Sequence, residues 1–335
     1  MHEEKIVLGH GSGGRLTQAL VKDVFLSRLG NPIIAELSDA AVISYEDRIA
    51  FTTDSFVVQP LFFHGGDIGK LAVCGTVNDL VVQGAQPEYL SLALIIEEGL
   101  EYRILEKVAD SLSRQAQKAG VRFIAGDVKV VEKGSCDKLF INTSGVGRIV
   151  SKVPLSFRQI REHDQIILTS DIGRHGLAVL AGRKTVGTDL GIKSDCASLD
   201  SLLLPILRRS RAVRFVRDAT RGGVATVLNE IAQGSGVGIV VSEDRIPVSS
   251  KVRAACELFG FDPLYLANEG SAVLVVAPQE APGITAALRR HPLGRKAAII
   301  GTVTAKPKGL VISRTTIGTQ RLLEMTEAEI IPRIC

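Results

Sequence analysis

Apolar residues recur at intervals of three and four from Leu16 to Leu29, the spacing of a one-sided helix. The pattern then shortens, and the runs Ala40 to Ser44 and Ile49 to Phe56, parted by the polar turn Glu46-Asp47-Arg48, predict strands. A helix is expected over Ile68 to Gln83, a buried strand over Tyr89 to Ile96 and a long amphipathic helix over Glu101 to Ala119. Arg122 to Val131 and Lys138 to Ile149 predict a hairpin. The segment Ser151 to Asp164, with Pro154, breaks the pattern and marks a domain boundary. Beyond it, strands are expected at Gln165 to Thr169, Val213 to Arg217, Gly238 to Ser242, Ala272 to Ala277, Ala298 to Val303 and Gly309 to Ser313. Helices are expected between them, at Gly176 to Ala181, Ser201 to Arg209, Gly223 to Gln233, Ser249 to Phe259 and Gly283 to Arg290. Interleaved strands and helices predict an α/β (α+β) fold of two halves, each a helix-covered sheet, with a cleft between them.

Composition narrows the class. A chain of 335 residues, 45% hydrophobic and 23% charged, is globular and long enough for about two domains. It has no Trp and four Tyr, so it lacks aromatic platforms for single-stranded nucleic acid, and a net charge of +4 demands no polyanion. Arg208, Arg209, Arg211, Arg214, Arg217 and Arg221 form a basic run that suits either phosphates or a solvated face. The cysteines Cys74, Cys136, Cys196, Cys256 and Cys335 are scattered singly, which offers no zinc or iron–sulfur motif and points to a reducing compartment. With no signal-peptide pattern at Met1 to Lys5 and no apolar run of membrane-span length, a cytoplasmic protein without a membrane partner is expected.

Candidate chemistry collects at strand ends, where Asp39, Asp54, Asp67, Asp79 and Asp127 stand in turn-like surroundings. Such carboxylates suit Mg²⁺, and they equally suit ordinary turns. Asp79 and Lys70 stand apart because both interrupt a segment that otherwise reads as buried helix. The cluster Gly9 to Gly14 lacks a Walker lysine, although bare amides there can approach a phosphate. No G-x-G-x-x-G opens a helix after a strand, which disfavours a dinucleotide fold. Arg217 to Gly223 lies between a strand and a helix, where it either binds an anion with Asp218 on a metal or is an N-cap by Asp218 or Thr220. Asn268-Glu269-Gly270 is either loop architecture or the mount of a general base, Glu269. Finally, Pro332 stops the helix-like stretch Thr326 to Ile331 and leaves Cys335 on a short tether, as a thiol able to carry a group.

Several segments together carry a resemblance: His10-Gly11-Ser12-Gly13-Gly14, Thr53-Asp54-Ser55, Gly65 to Leu80, Arg217 to Gly223, Leu266 to Gly270 and the Pro-Arg-Ile-Cys end. In this order they resemble the HypE family, hydrogenase maturation proteins that make the cyanide ligands of NiFe hydrogenase. The resemblance implies a two-domain PurM-like fold with a Gly-rich segment at 1–34, an N-terminal ATP-binding and dimerisation domain at 35–150, a C-terminal domain at 151–325 and a flexible tail at 326–335. It implies a homodimer, a carbamoyl donor HypF and a cyanide acceptor, the HypC–HypD complex. ATP would phosphorylate the oxygen of a thiocarboxamide on Cys335, and loss of phosphate and the amide protons would leave an S-cyano group. Carried over by position, Cys335, Glu269 and Lys129 would be catalytic. Lys70, Asn78, Asp67, Asp79, Thr220 and Asn268 would bind nucleotide, and Asp39, Asp54, Asp79, Asp127 and Asp218 would hold Mg²⁺. Three positions depart from the family pattern: Val128 replaces a threonine, Arg174 replaces an aspartate, and Ser38 precedes Asp39 in place of a second acid. The tail is expected to move between the ATP cleft and an outward position. The alternatives are an ATP-binding scaffold or a small-molecule kinase of the same superfamily, such as a selenophosphate synthetase, whose reactive N-terminal Cys or Sec is missing here.

Overall fold

The computed structural model describes residues 5–11, 15–33, 45–46, 48–183, 186, 190–325 and 330–335. Asp39, Ser38, the run Ala40 to Ser44 and most of the stretch Thr326 to Ile331 lie outside the described residues. The first sheet has four strands in the order Ile49–Phe56, Leu139–Ile149, Ala85–Glu97, Arg122–Val131. The expected hairpin is corrected here, because Ala85–Glu97 lies between its two strands. Ala85–Glu97 alternates buried and half-buried positions and is followed by helix Tyr102–Ala119, which carries the chain over the sheet to lay Arg122–Val131 parallel beside it. The turn residues after Val131 imitate a hairpin, but the helix crossover decides the pairing.

Helix Ile68–Val82 packs with helix Tyr102–Ala119 on one face of this sheet. The two helices touch closely at Gly69, where an added Cβ would lie 2.6 Å from the Val108 carbonyl oxygen. Asp67 starts the first of them, its Oδ1 accepting the N–H groups of Gly69 and Lys70 while its Oδ2 accepts from Ser111 at 2.6 Å. Ile68–Val82 is buried on nearly all sides, as expected of a helix covered by sheet and by a second domain. The opposite sheet face is open and carries Ile49, Phe51 and Ile95, with Phe51 67% exposed.

The second sheet has seven strands in the order Gln320–Leu322, Val311–Arg314, Gly238–Ser242, Ala298–Thr304, Gln165–Leu168, Ala272–Val276, Val213–Asp218. Ala272–Val276 is buried at every position, which its apolar sequence Ala-Val-Leu-Val-Val requires. One apolar cluster runs through both halves, joining Leu71 and Val77 to Leu199, Leu203 and Leu274. The cleft between the halves is therefore short, and its walls are fixed by shared core.

The last residues are docked. Ile331 and Ile334 are buried and pack into the same cluster, with Cys335 half-buried against it.

Candidate active site

Strand Ile49–Phe56 presents Thr52 and Asp54 to helix Ile68–Val82. Asp79, in the last turn of that helix, accepts a hydrogen bond from Thr52 Oγ1 at 2.8 Å. One turn earlier stands Gly75, and Asp54 Oδ2 lies 3.4 Å from where its Cβ would be. From the other domain, strand Val213–Asp218 ends at Asp218 and turns a third carboxyl toward these two. Burial, reinforced by the charge of Asp54, pushes Asp79 up to about 6 against the pull of the Thr52 hydrogen bond. Burial and Asp79 push Asp218 up to about 7. Asp54 also rises, through burial, while the Ser55 amide and Arg221 oppose the rise. A cavity of about 590 Å³ opens here, lined by Thr52, Asp79, Asp218, Thr220 and Arg221 among others.

The turn after Asp218 does not serve as a side-chain cap. Helix Gly223–Ser235 is capped by Gly222 with no side-chain hydrogen bond, so neither Asp218 nor Thr220 caps it. Gly222 and Gly223 both take positive φ, +71° and +62°, and a Cβ at Gly223 would lie 2.5 Å from the Leu264 carbonyl oxygen. The helix start, with its positive end of the backbone dipole, faces the cavity through Thr220, Arg221 and Thr226.

Glu269 stands close enough to Asp218 and Asp54 to feel their charges. It is 2% exposed, and burial followed by Cys196, Asp218 and Asp195 raises its carboxyl well above the usual range. Its backbone is fixed by Asp195, whose carboxylate accepts the N–H groups of Glu269 at 3.2 Å and Gly270 at 3.1 Å. Gly270 is required there, since a Cβ would stand 2.0 Å from the Asp195 carbonyl oxygen. On the far side of the same loop, Ser194 Oγ accepts the Cys196 amide and meets His175 Nδ1 at 2.9 Å. His175 Nε2 in turn reaches the Ile334 carbonyl oxygen at 2.6 Å.

Two further anchors hold the tail backbone. Arg183 donates to the carbonyl oxygens of Pro332, Arg333 and Gln59, and the Gln59 amide donates to Arg333 at 3.1 Å. The Arg333 guanidinium pairs with Asp137 at 2.9 Å. Of the other cysteines, Cys74, Cys196 and Cys256 are buried and Cys136 lies in the loop before strand Leu139–Ile149.

The remaining expected site residues lie elsewhere. Asp67 is the helix cap described above. Asn78 accepts the Leu199 amide at 2.8 Å and donates to the Ala197 carbonyl at 3.1 Å, which ties the two domains together. Asn268 accepts from Gly173 and donates to Ala219 and Leu266, also from a fully buried position. Lys70 donates to the Gly65 carbonyl at 2.9 Å and lines a separate cavity of about 410 Å³ with Arg114 and Lys193. Asp127 and Lys129 pair at 3.6 Å on the edge strand Arg122–Val131, both 63% exposed. In the sheet register, three strand steps of about 4.8 Å, roughly 14 Å in all, separate that edge from Asp54. Arg174 pairs with Asp171 at 3.4 Å, a contact that the family aspartate would not make. Sequence reasoning missed Thr52, Arg183, Asp195 and His175; only His175 carried a signal, beside the departure at Arg174.

The AIR synthase related family matches this chain twice, its N-terminal domain over residues 37–149 and its C-terminal domain over 161–313. The chain is 44% identical to the carbamoyl dehydratase HypE of Rhodobacter capsulatus, with 100% of this chain and 99% of that protein covered. It is similar to a crystal structure of the hydrogenase maturation protein HypE in complex with ATP, at TM-score 0.94 and 43% identity over 98% of this chain and 99% of the other. A HypE–HypF complex contains a chain similar at TM-score 0.80 and 44% identity, over 92% of this chain and 100% of the other.

Proposed function

The chain belongs to the HypE carbamoyl dehydratase family, with its two-domain PurM-like fold, and from that premise we propose that it dehydrates a carbamoyl group carried on Cys335. It binds ATP, and the nucleotide's phosphates lie in the cavity between Asp79 and the start of helix Gly223–Ser235. The reaction balances as two steps. The amide oxygen of the S-carbamoyl group takes the terminal phosphoryl of ATP as one N–H proton leaves, giving ADP. Loss of the second N–H proton then expels phosphate and closes the carbon–nitrogen triple bond. Phosphorylation is needed because an amide oxygen is a poor leaving group.

The observation that carries this reading is the docked tail, joined through His175, Ser194 and Asp195 to the loop that presents Glu269. When ionised, a carboxylate that burial makes avid for protons is suited to take them from nitrogen. Asp54, Asp79 and Asp218 supply oxygen donors of the kind Mg²⁺ prefers, and burial holds protons that a cation would displace. Among the described residues no three histidines, cysteines or carboxylates are gathered so as to hold a metal ion by themselves, so a Mg²⁺ ion here would need ligands from phosphate and water as well. When bound, the ion offsets charge on the transferring phosphoryl.

Asp127 and Lys129 enter through a homodimer. Asp54 and Asp127 sit on opposite edge strands of one four-stranded sheet, whose open face carries Phe51 and Ile95. Two copies that pair unlike edges place Asp127 and Lys129 of the partner subunit beside Asp54. HypF loads the thiol and the HypC–HypD complex receives the cyanide. No helix among the described residues is long and apolar enough to cross a membrane. Incubating the protein with HypF, carbamoyl phosphate and ATP, then reading the mass of the Cys335 peptide, tests the reading. Label on the Cys335→Ala variant would overturn it.

A further inference from the structure

We infer that His175 is the positioning residue that fixes the C-terminal thiol, by donating its Nε2–H to the carbonyl of Ile334 while Ser194 holds its other nitrogen. The carbonyl oxygen can only accept, so the proton sits on Nε2. Nδ1 of the neutral ring must then accept, and Ser194 Oγ–H is its donor at 2.9 Å. Ser194 Oγ keeps a lone pair for the Cys196 amide at 3.0 Å, so every group in the chain is satisfied in one direction.

The ring has no freedom to serve any other partner. His175 is 0% exposed, and Phe63 meets its face edge-on with centroids 5.3 Å apart. The same loop is fastened to Glu269 and Gly270 by Asp195, the residue after Ser194. Tail and base therefore hang from one short segment, and the tail's register on that segment is set at the residue adjoining the reactive cysteine. Arg183 holds carbonyls farther back, at Pro332 and Arg333, whereas His175 holds the carbonyl next to Cys335.

This inference rests on the proposed carbamoyl chemistry for its rate test, but not for its accessibility test. In the full-length protein, His175→Gln keeps a donor near Nε2, whereas His175→Ala removes it. The accessibility readout is the alkylation rate of Cys335 by iodoacetamide. It should rise about tenfold in His175→Ala, the worth of one buried hydrogen bond, and stay within about threefold of wild type in His175→Gln. ATP affinity should be unchanged in both variants, and at saturating ATP the single-turnover conversion of carbamoylated Cys335 should slow by a similar factor in His175→Ala alone. Ser194→Ala, which deletes the group that orients the ring, should shift both readouts part of the way, and it serves if His175→Ala does not fold. The inference is overturned if His175→Ala or Ser194→Ala matches wild type in alkylation, or if His175→Gln is as impaired as His175→Ala. If wild type itself converts no carbamoyl group while alkylation follows the expected order, the proposed chemistry fails and the positioning role stands.

Discussion

Truncating Ile334 to alanine measures how firmly the tail is docked. Ile334 is 4% exposed and Ile331 3%, so both side chains are removed from water when the tail lies in place. Ile334→Ala deletes three carbons beyond Cβ, which at ~0.8 kcal/mol each lowers the docking free energy by about 2.4 kcal/mol. Divided by the ~1.4 kcal/mol of a tenfold change, the undocked population rises about 50-fold. The backbone contacts to His175, Arg183 and Gln59 remain available, so the perturbation isolates apolar burial. Alkylation of Cys335, resolved from the other thiols by peptide mass mapping, reads that population directly. The rate should climb toward that of a free peptide with the same last residues. Ile330, 38% exposed, provides the control, and Ile330→Ala should leave the rate unchanged. An Ile334→Ala protein alkylated at the wild-type rate, or an equal effect from Ile330→Ala, would refute docking by side-chain burial.

The carboxyls of Asp79 and Asp218 bind protons more tightly folded than unfolded, so their contribution to stability is complete below the ordinary carboxylate range and is lost as pH rises through about 6 to 7. Nucleotide-free protein should therefore melt at lower temperature at about pH 8 than at about pH 5, and Asp218→Asn should flatten the difference; a melting temperature rising over that interval would contradict the burial argument. Mixing inactive Asp54→Asn and Asp127→Asn protomers should restore up to about a quarter of the wild-type dehydration through mixed dimers with one intact site, and no recovery in verified mixed dimers would reject the shared site. Gly270→Ala drives a Cβ to 2.0 Å from the Asp195 carbonyl and should cost both Cys335 protection and dehydration, whereas unchanged values would mean that the loop's register does not matter.

Most elements were legible because burial imposes a period on their side chains. Ile49–Phe56 and Gly238–Ser242 have the bounds that their patterns imply, and Ile68–Val82 ends one residue short of them. Pairing was less legible, since the pattern of Arg122–Val131 says which face is buried and not which strand lies beside it. Asp54, Asp79, Asp218 and Glu269 could be picked out because carboxylates amid apolar or glycine-rich sequence need a reason. Asp195 and Arg183 could not, because each acts on a backbone carbonyl or amide supplied by a segment distant in sequence. Asn78 and Asn268 show the reverse: motif positions whose side chains here join backbone to backbone across the domain interface and within the second domain.

The central claim is that one thiol, held at the loop of Glu269, carries the group that ATP dehydrates. Intact and peptide masses followed through a single turnover test it most directly, starting from protein carbamoylated on Cys335 and mixed with ATP and Mg²⁺. The Cys335 peptide should lose the mass of one water as one ADP appears, and Asp79→Asn, Asp218→Asn and Glu269→Gln proteins should keep the carbamoyl mass unchanged. ADP formed without loss of water from Cys335, or water lost at the wild-type rate in Glu269→Gln, would contradict it.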